Sequence, residues 1–315
     1  MIGILFAVIA HAVSYAQNRF PSKPLRLIVP FAPSGGQDTV ARVLGHKLTQ
    51  MLGQQVVVDN RPGGSGILAA ESLLKSPPDG HTLYLVSTSF VVAPALRKSL
   101  PFDPLKDFTA VSRIATSPGA LVVHSSLPAK TLKQLIQLAR AQPGRITFGS
   151  AGVASQSHLS GELFKVLAGI DLLHVPYRGA AQAVNALYAG DTDLMVTGMG
   201  EAMPHLRDRR LRAIAITGAR RLAELPEVPA AVERVPGFVL FIWYGFLGPR
   251  ATPPAVVQRL ATAIAPLRQG SGLAQRLQGS GVELLLSPPE VLAERMEREV
   301  PQWKRVVAAA NIRVE

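Results

Sequence analysis

A chain of 315 residues, 48% of them hydrophobic and 17% charged, has enough apolar material for one large or two moderate α/β domains, and this composition excludes a disordered protein. It contains no cysteine, so disulfide bonds and thiolate metal sites are excluded as well. The net charge of +12 is spread along the chain, without a helix-turn-helix pattern or an aromatic platform to focus it, and we therefore predict no nucleic-acid partner.

The N-terminal segment is predicted to be a signal peptide. Residues 2–12 are almost all apolar, and the small residues Ser14 and Ala16 occupy the −3 and −1 positions of a cleavage site after Ala16. The apolar run is shorter than the about 20 residues that a membrane-spanning helix needs. A buried N-terminal helix is the alternative. We expect export to a periplasm, with Gln17 as the first residue of the mature protein.

Beyond this segment, predicted strands and helices alternate. Strands are indicated by short apolar runs, and helices by apolar residues at spacings of three and four. The predicted strands are residues 25–29, 55–58, 82–86, 121–123, 146–148, 172–175, 194–196, 213–216 and 243–247. The predicted helices are residues 39–52, 66–74, 132–139, 156–168, 180–189, 255–267, 272–277 and 289–309. Repeated βα units predict largely parallel sheets with helices on both faces, and the number of strands favours two lobes.

Two loops that join a predicted strand to a predicted helix are candidate ligand sites. The first contains Phe31, Ala32, Pro33, Ser34, Gly35, Gly36, Gln37, Asp38 and Thr39, and the second contains Ser150, Ala151, Gly152, Ser155, Gln156, Ser157 and His158. Glycines allow backbone N–H groups to approach a ligand, and a helix N-terminus favours an anion. An ordinary turn, with Asp38 capping the helix, is the alternative for the first loop. One such loop in each lobe predicts a cleft that holds the two ends of a dicarboxylate.

Patterns typical of enzymes are weak in this sequence. The segment 64–69 fits a dinucleotide-binding pattern, but it is separated from its strand, and the next strand is not followed by an acidic residue. Ser157 and His158 are adjacent on a helix and point in different directions, and there is no nucleophile elbow. His158 and His174 are interpreted as capping or hydrogen-bonding groups. We predict no catalytic residue, no metal and no cofactor; an enzyme on a doubly wound fold is the alternative.

Several short segments, in this order along the chain, match one known family. They are residues 24–33, 58–64, 78–83, 100–108, 148–152, 157–164 and 174–179. Through them the chain resembles the Bug-type (TctC-like) extracytoplasmic receptors of the tripartite tricarboxylate transporter systems, over essentially all of the mature chain. The resemblance implies an α/β, two-lobed periplasmic-binding-protein fold of type II, in which two doubly wound sheets are joined by two crossover strands.

The lobe boundaries follow from the candidate crossover strands, residues 121–123 and 244–247. Lobe 1 is predicted to contain residues 17–120 and 243–315, and lobe 2 residues 121–242. The resemblance implies ligand contacts from both lobes. Besides the two loops, they are Ser87, Thr88 and Ser89 in lobe 1, and Tyr177, Arg178, Gly179 and Thr197 in lobe 2.

The resemblance also implies capture of a small organic carboxylate and its delivery to a large and a small integral-membrane permease subunit. We expect the receptor to be a monomer. The family often has an aspartate at the position of Thr197, which can receive a ligand amine, so the threonine favours a simple carboxylate without an amine. A periplasmic ligand sensor for a signalling partner is the alternative function.

Overall fold

The structure, a computed structural model, describes residues 20–33, 36–97, 99–153, 155–206, 209–268, 272 and 282–309. The first elements are β1 (Leu25–Val29), α1 (Gly36–Leu52), β2 (Val56–Asn60), a 3₁₀ turn (Gly64–Gly66), α2 (Ile67–Leu74), β3 (Thr82–Ser87), α3 (Thr88–Leu96) and β4 (Phe108–His124). The next are α4 (Leu132–Ala141), β5 (Thr147–Ser150), α5 (Gln156–Ala168), β6 (Leu173–Pro176), α6 (Ala180–Ala189), β7 (Leu194–Gly198), α7 (Met199–Leu206) and β8 (Leu211–Ile216). A 3₁₀ turn (Ala231–Glu233), β9 (Phe241–Pro249), α8 (Pro254–Ile264), a 3₁₀ turn (Ala265–Arg268), β10 (Glu283–Leu284) and α9 (Pro289–Ala309) follow.

The strands form one path of hydrogen-bonded neighbours in the order β2-β1-β3-β9-β4-β7-β5-β6, with β8 and β10 also paired to β4. Pairs among β1, β2 and β3, and among β5, β6 and β7, are parallel, whereas β4 and β9 run antiparallel to their neighbours. The strand β4 takes part in both halves of this path. Its residues 108–118 pair with β9, and its residues 119–124 pair with β7 and β8. We call β2, β1, β3, β9 and β10, together with residues 108–118 of β4, the first half of the sheet. The second half contains β7, β5, β6 and β8, together with residues 119–124 of β4.

Local sequence signals explain where several helices begin and end. The α4 helix begins after Thr131, whose side chain accepts a hydrogen bond from the N–H of Gln134. Gly169 follows the last residue of α5 and Gly190 the last residue of α6, and both glycines have left-handed backbone angles, with φ of 60° and 86°. Because glycine has no Cβ, it adopts this conformation without steric cost, and the chain turns back toward the next strand.

Apolar side chains pack on both faces of the sheet. On the first half, β1 and β3 bury leucines and valines against α1 and α8. On the second half, β4, β7 and β8 pack against α6 and α7. The C-terminal helix α9 returns to the first half, where it packs against α3 and β4. Helices therefore cover both halves, as expected for sheets with buried parallel strands.

The α/β fold class with βα units in two halves is confirmed, and the lobe boundaries stay a prediction. Four elements differ from the sequence-based expectation. The strand β4 has 17 residues and includes the predicted 121–123, and α3, α7 and the short strand β10 were not predicted. The predicted signal peptide and most of the helix predicted at 272–277 lie outside the described residues. In the part of the chain that the structure describes, no helix is long and apolar enough to span a membrane.

Candidate functional site

A cavity of about 230 Å³ lies at the carboxyl ends of β1, β3, β5 and β7, and residues from both halves of the sheet line it. Ligands of open α/β sheets bind at this edge, because strand-to-helix loops and helix N-termini converge there. The volume is below the about 300–1,000 Å³ typical of sites for drug-sized molecules. The cavity therefore suits a small metabolite.

Most of the residues predicted to bind a ligand lie at this cavity. Those that line it are Phe31, Ala32, Pro33, Gln37, Ser87, Ser89, Ala151, Ser155, Gln156, Ser157, Arg178, Gly179 and Thr197. Those placed next to the lining are Asp38, Thr39, Thr88, Ser150, Gly152, His158 and Tyr177. Gly36 begins α1, and Ser34 and Gly35 lie outside the described residues. The structure thus brings the two predicted loops together, and their roles as ligand contacts stay predictions.

The cavity also has lining residues that the sequence analysis did not name. They are Gly119, Ser160, Ala180, Ala181, Gln182, Val196, Gly198, Glu201, Thr217, Leu240, Ile242 and Tyr244. Some continue a predicted loop by one helical turn, and extending each loop would have found them. Those from β9 and the segment before it reach the cavity only through long-range strand pairing, for which the local sequence carries no signal.

The loop after β1 is held in place by hydrogen bonds behind the cavity. Gln37 is buried, and its side-chain amide donates a hydrogen bond to the carbonyl oxygen of Leu85. The Asp38 carboxylate accepts hydrogen bonds from Arg42 Nε at 2.8 Å and from Asn60 Nδ2 at 3.0 Å. Asp38 lies in the first turn of α1, and Arg42 offsets its charge. Its expected role as a ligand contact, and the capping alternative, stay predictions.

The loop after β5 is closed onto the first turn of α5 by serine side chains. Ser155 is the residue before the helix, and its hydroxyl accepts a hydrogen bond from the N–H of His158 at 3.3 Å. The Ser157 hydroxyl accepts a hydrogen bond from the N–H of Ala151 at 2.9 Å and lies 3.1 Å from the Ser155 hydroxyl. These bonds fix the position of backbone N–H groups at the cavity wall.

Ser160, one turn further along α5, has a hydroxyl group that points to a ligand role. The residue lines the cavity and is only 1% exposed. Its Oγ atom has no hydrogen-bond partner among the described residues. A buried hydroxyl without a partner costs free energy, and a ligand in the cavity would supply the missing partner.

Three helices begin at the cavity without an acidic residue to offset their positive ends. They are α3, α5 and α6, and their first turns hold no aspartate or glutamate. In α6 the first N–H group that bonds back is that of Ala183, to the carbonyl of Gly179, so the preceding N–H groups remain available at the cavity wall. Arg178 lines the same wall, is exposed and makes no ion pair with a described carboxylate. These groups together make the cavity attractive to an anion.

The helix α7, in contrast, begins with an acidic residue in its first turn. Glu201 lies in the first turn of this helix, lines the cavity, and accepts a hydrogen bond from the hydroxyl of Thr197. Burial first, and then the Glu201 carboxylate, raise the pKa of Tyr244 above its usual value. Glu201, which the sequence analysis did not name, thus places a carboxylate beside Thr197, and the expected preference for a ligand without an amine stays a prediction. The sequence analysis missed Glu201 because it did not predict α7, whose first turn brings Glu201 next to Thr197, four residues earlier in the chain.

Two histidines stack behind the second loop, in agreement with their interpretation as hydrogen-bonding groups. The His158 and His174 rings are 4.0 Å apart, the Phe148 ring packs 4.8 Å from that of His174, and Ser150 Oγ lies 2.6 Å from His174 Nε2. Burial, followed by the positive charge of Lys165, lowers the pKa of His158 to about 4. Burial, followed by His158 and then Lys165, lowers the pKa of His174 to about 4. Both rings are therefore neutral at pH 7.

We expect the stability of the protein to fall as the pH drops from about 6.5 to about 4. An unfolded chain binds protons on these histidines near their ordinary pKa of about 6.5, whereas the folded chain does not until about pH 4. Each histidine therefore lowers the free energy of unfolding by at most about 1.4 kcal/mol per pH unit in this window. Urea unfolding at pH 7, 6 and 5 measures this slope.

The matched variants are His174→Gln, which keeps a polar partner for Ser150, and His46→Gln on the exposed face of α1. The first should flatten the pH dependence, and the second should leave it as in the wild type. A wild-type protein equally stable at pH 7 and pH 5 would contradict a neutral histidine pair.

The lining of the cavity is rich in hydroxyl groups. No group of three histidine, aspartate or glutamate residues in the described part of the chain is arranged to hold a metal ion. Ser150 and His174 form a hydroxyl–imidazole pair, but neither lines the cavity. The hydroxyl groups that line it, together with the exposed helix N-termini, are suited to hold an anion by hydrogen bonds.

Comparisons with a family model and with curated proteins point to the same family. The model of the tripartite tricarboxylate transporter family receptor matches residues 40–312. The curated protein BugT of Bordetella pertussis is 32% identical over 318 residues, which cover 100% of this chain and 98% of BugT.

Solved structures agree with this result. The R. palustris protein Rpa4515 with adipate is 32% identical with a TM-score of 0.89, and the match covers 93% of this chain and 99% of that protein. MatC from Rhodopseudomonas palustris with bound malate is 32% identical with a TM-score of 0.86, and the match covers 91% of this chain and 100% of MatC.

Proposed function

Because the chain belongs to the receptor family of the tripartite tricarboxylate transporters, we propose that it captures a small organic carboxylate in the cavity between its two lobes. Receptors of this family are periplasmic solute-binding proteins. We propose further that this protein is exported with cleavage after Ala16, closes its lobes on the ligand as a monomer, and delivers it to a large and a small membrane permease subunit. Binding proceeds without chemical conversion of the ligand.

The observation that carries the proposal is the set of three helix N-termini at one cavity, none of which is offset by an acidic residue. Each terminus offers unpaired N–H groups and about half a positive charge. Arg178 adds a full charge at the same wall. Two related proteins are known with adipate and with malate, which are small carboxylates.

Lobe closure is supported by the course of β4. The strand changes partner between residues 118 and 119, where Pro118 is followed by Gly119. The N–H of Gly119 donates a hydrogen bond to the Thr217 hydroxyl at 2.8 Å, and this hydroxyl donates to the carbonyl of Leu240 at 2.8 Å. The point where the partners change thus lies at the cavity, so a small bend there changes the distance between its walls.

The test is calorimetric titration of protein purified after export, using succinate, malate, glutarate, adipate and monocarboxylates of matched length, some with an amino group. We expect at least one to bind with a Kd in the micromolar range, which corresponds to about −8 kcal/mol. Ser160→Ala should weaken this binding by about 3- to 10-fold, because one hydrogen bond of about 0.5–1.5 kcal/mol is lost.

The melting temperature of the unliganded Ser160→Ala variant should equal or exceed that of the wild type, since the buried hydroxyl has no described partner to lose. The proposal is wrong if none of these carboxylates binds, or if the protein converts a bound one into a product. Unchanged affinity in Ser160→Ala would remove this hydroxyl from the ligand site.

A further inference from the structure

We propose that the cavity selects carboxylates whose carbon skeleton carries no hydroxyl group, because one of its walls is apolar and offers such a group no hydrogen-bond partner. This inference rests on the proposed function, since it concerns the body of a ligand whose carboxylate is held by hydrogen-bond donors. We call the side chains of Val196, Leu240 and Ile242, which all line the cavity, the apolar wall.

Most of the apolar wall comes from the start of β9. Leu240 precedes this strand, and Ile242 is its second residue. Both side chains are buried at the cavity, whereas those of Val239 and Phe241 are exposed. Because successive side chains of an extended chain point to opposite faces, this alternation places Leu240 and Ile242 on the same side, toward the cavity.

The strand β7 completes the wall from the second half of the sheet. Val196 is buried and lies two residues before Gly198, so the two residues share one face of β7. A Cβ atom added to Gly198 would lie 2.8 Å from Ile242 Cδ1, so the side chain of Ile242 packs against the backbone of Gly198. Val196 and Ile242 are therefore neighbouring parts of one surface, although they belong to different halves.

Two threonines beside the apolar wall already donate their hydroxyl protons within the protein. Thr217 lines the cavity, and its hydroxyl accepts a hydrogen bond from the N–H of Gly119 and donates one to the carbonyl of Leu240, each at 2.8 Å. The hydroxyl of Thr197 donates to the Glu201 carboxylate. Neither threonine has a proton left for a ligand, so these hydroxyls do not make the wall a donor surface.

The apolar wall therefore distinguishes two ligands that differ by a single hydroxyl group. A ligand hydroxyl placed against it loses its hydrogen bonds to water and gains no replacement, which corresponds to a loss of about 5- to 150-fold in affinity. A methylene group at the same place gains free energy, because apolar surface leaves water. The predicted ligand class is thus carboxylates with a plain hydrocarbon skeleton, in preference to hydroxy acids.

A hydrogen bond between the ligand hydroxyl and Tyr244 is the competing explanation. Tyr244 follows Ile242 by two residues on β9 and also lines the cavity. In that case a hydroxy acid gains a partner and binds at least as tightly as its parent compound. The preference of the wild type between two such compounds separates the explanations.

The experiment is calorimetric titration with three pairs of ligands: succinate with malate, glutarate with 3-hydroxyglutarate, and hexanoate with 3-hydroxyhexanoate. The members of a pair have the same carbon chain and the same number of carboxylates, so only the hydroxyl differs. In every pair that binds, we expect the compound without the hydroxyl to bind about 5-fold or more tightly than its partner.

The variants Ile242→Thr and Ile242→Val connect this preference to the apolar wall. Both side chains are smaller than isoleucine and have nearly the same shape, but threonine brings a hydroxyl to the wall. We expect the preference in the threonine variant to be lower than in the valine variant by about 3-fold or more. Val57→Thr, at an exposed position of β2 that does not line the cavity, should leave all affinities unchanged.

A smaller preference in the wild type, or tighter binding of the hydroxy acid in any pair, overturns this inference, while the proposed function stands because a carboxylate binds. Equal preferences in Ile242→Thr and Ile242→Val overturn it as well, because the wall then has no part in the selection. If no compound of either class binds, the proposed function itself fails.

Discussion

Ala180→Asp is expected to abolish carboxylate binding without lowering the stability of the protein. Ala180 lies in the first turn of α6 and lines the cavity wall that also contains Arg178. An aspartate there places a negative charge where the ligand carboxylate is proposed to lie. Repulsion of about 3 kcal/mol, for charges about 5 Å apart at an effective dielectric constant of about 20, corresponds to a loss of more than 100-fold in affinity.

The same substitution should act in the opposite direction on stability. An acidic residue in the first turn of a helix interacts favourably with the helix dipole and contributes about 0.3–1 kcal/mol. The melting temperature of the unliganded variant is therefore expected to match or exceed that of the wild type, while calorimetric titration shows no binding. A loss of binding caused by misfolding would lower both quantities together.

Ala180→Asn is the matched control, since asparagine has the shape of aspartate without its charge. We expect this variant to retain affinity within a few-fold of the wild type. If the aspartate variant binds carboxylates as tightly as the asparagine variant, the ligand anion does not lie near the start of α6, and the assignment of this wall is wrong.

The largest loss of stability is expected from Glu299→Ala, which should lower the free energy of unfolding by about 3–5 kcal/mol. Glu299 lies on α9 and is 8% exposed. Its Oε2 atom accepts a hydrogen bond from Trp243 Nε1 at 2.7 Å, and its Oε1 atom is 2.7 Å from Arg295 Nη2. Removing the carboxylate leaves a buried indole N–H and a largely buried guanidinium without this partner.

A second arginine adds to the cost. Burial, followed by the positive charge of Arg295, lowers the pKa of Arg113 to about 10, and the charge of Glu299 acts in the opposite direction. Arg295 also has its pKa lowered, chiefly by burial. Without Glu299, two partly buried guanidinium groups repel each other and lose a carboxylate that offsets their charge.

Urea unfolding of Glu299→Ala, Glu299→Gln and Glu297→Ala measures these contributions. The glutamine variant keeps an acceptor for Trp243 and should lose less stability than the alanine variant. Glu297 is exposed on the same helix, so its replacement should change the free energy of unfolding by less than about 0.5 kcal/mol. A loss below about 1 kcal/mol in Glu299→Ala would show that this carboxylate is not needed to balance the buried arginines.

The predictable parts of this protein are those whose signals are local. Strand β1, the two glycine- and serine-rich loops and the apolar stripes of the long helices follow from residue spacing alone. These loops follow parallel strands, so their meeting at one edge of the sheet was also predictable, and half of the residues named in them line the cavity.

The elements that were missed carry local signals that conflict with their structure. Helices α3 and α7 contain Pro94 and Pro204, which normally argue against a helix interior. The pairing of β4 with β9 shifts register between Ala110 and Ser112 and again between Arg113 and Ala115. Each shift breaks the alternation of inward and outward side chains, so the sequence lacks the period of two by which a long strand is recognised.

The change of partner along β4 has a consequence for the way this chain acquires its structure. Strand β3 lies beside β9, and the N–H of Trp243 donates a hydrogen bond to the Thr88 hydroxyl, 155 residues earlier in the chain. During synthesis, β3 and the start of β4 therefore keep open edges until β9 has been made. Such edges can pair with other chains, and contacts so far apart in sequence form slowly. A product that stops before residue 241 should consequently aggregate instead of yielding a stable fragment.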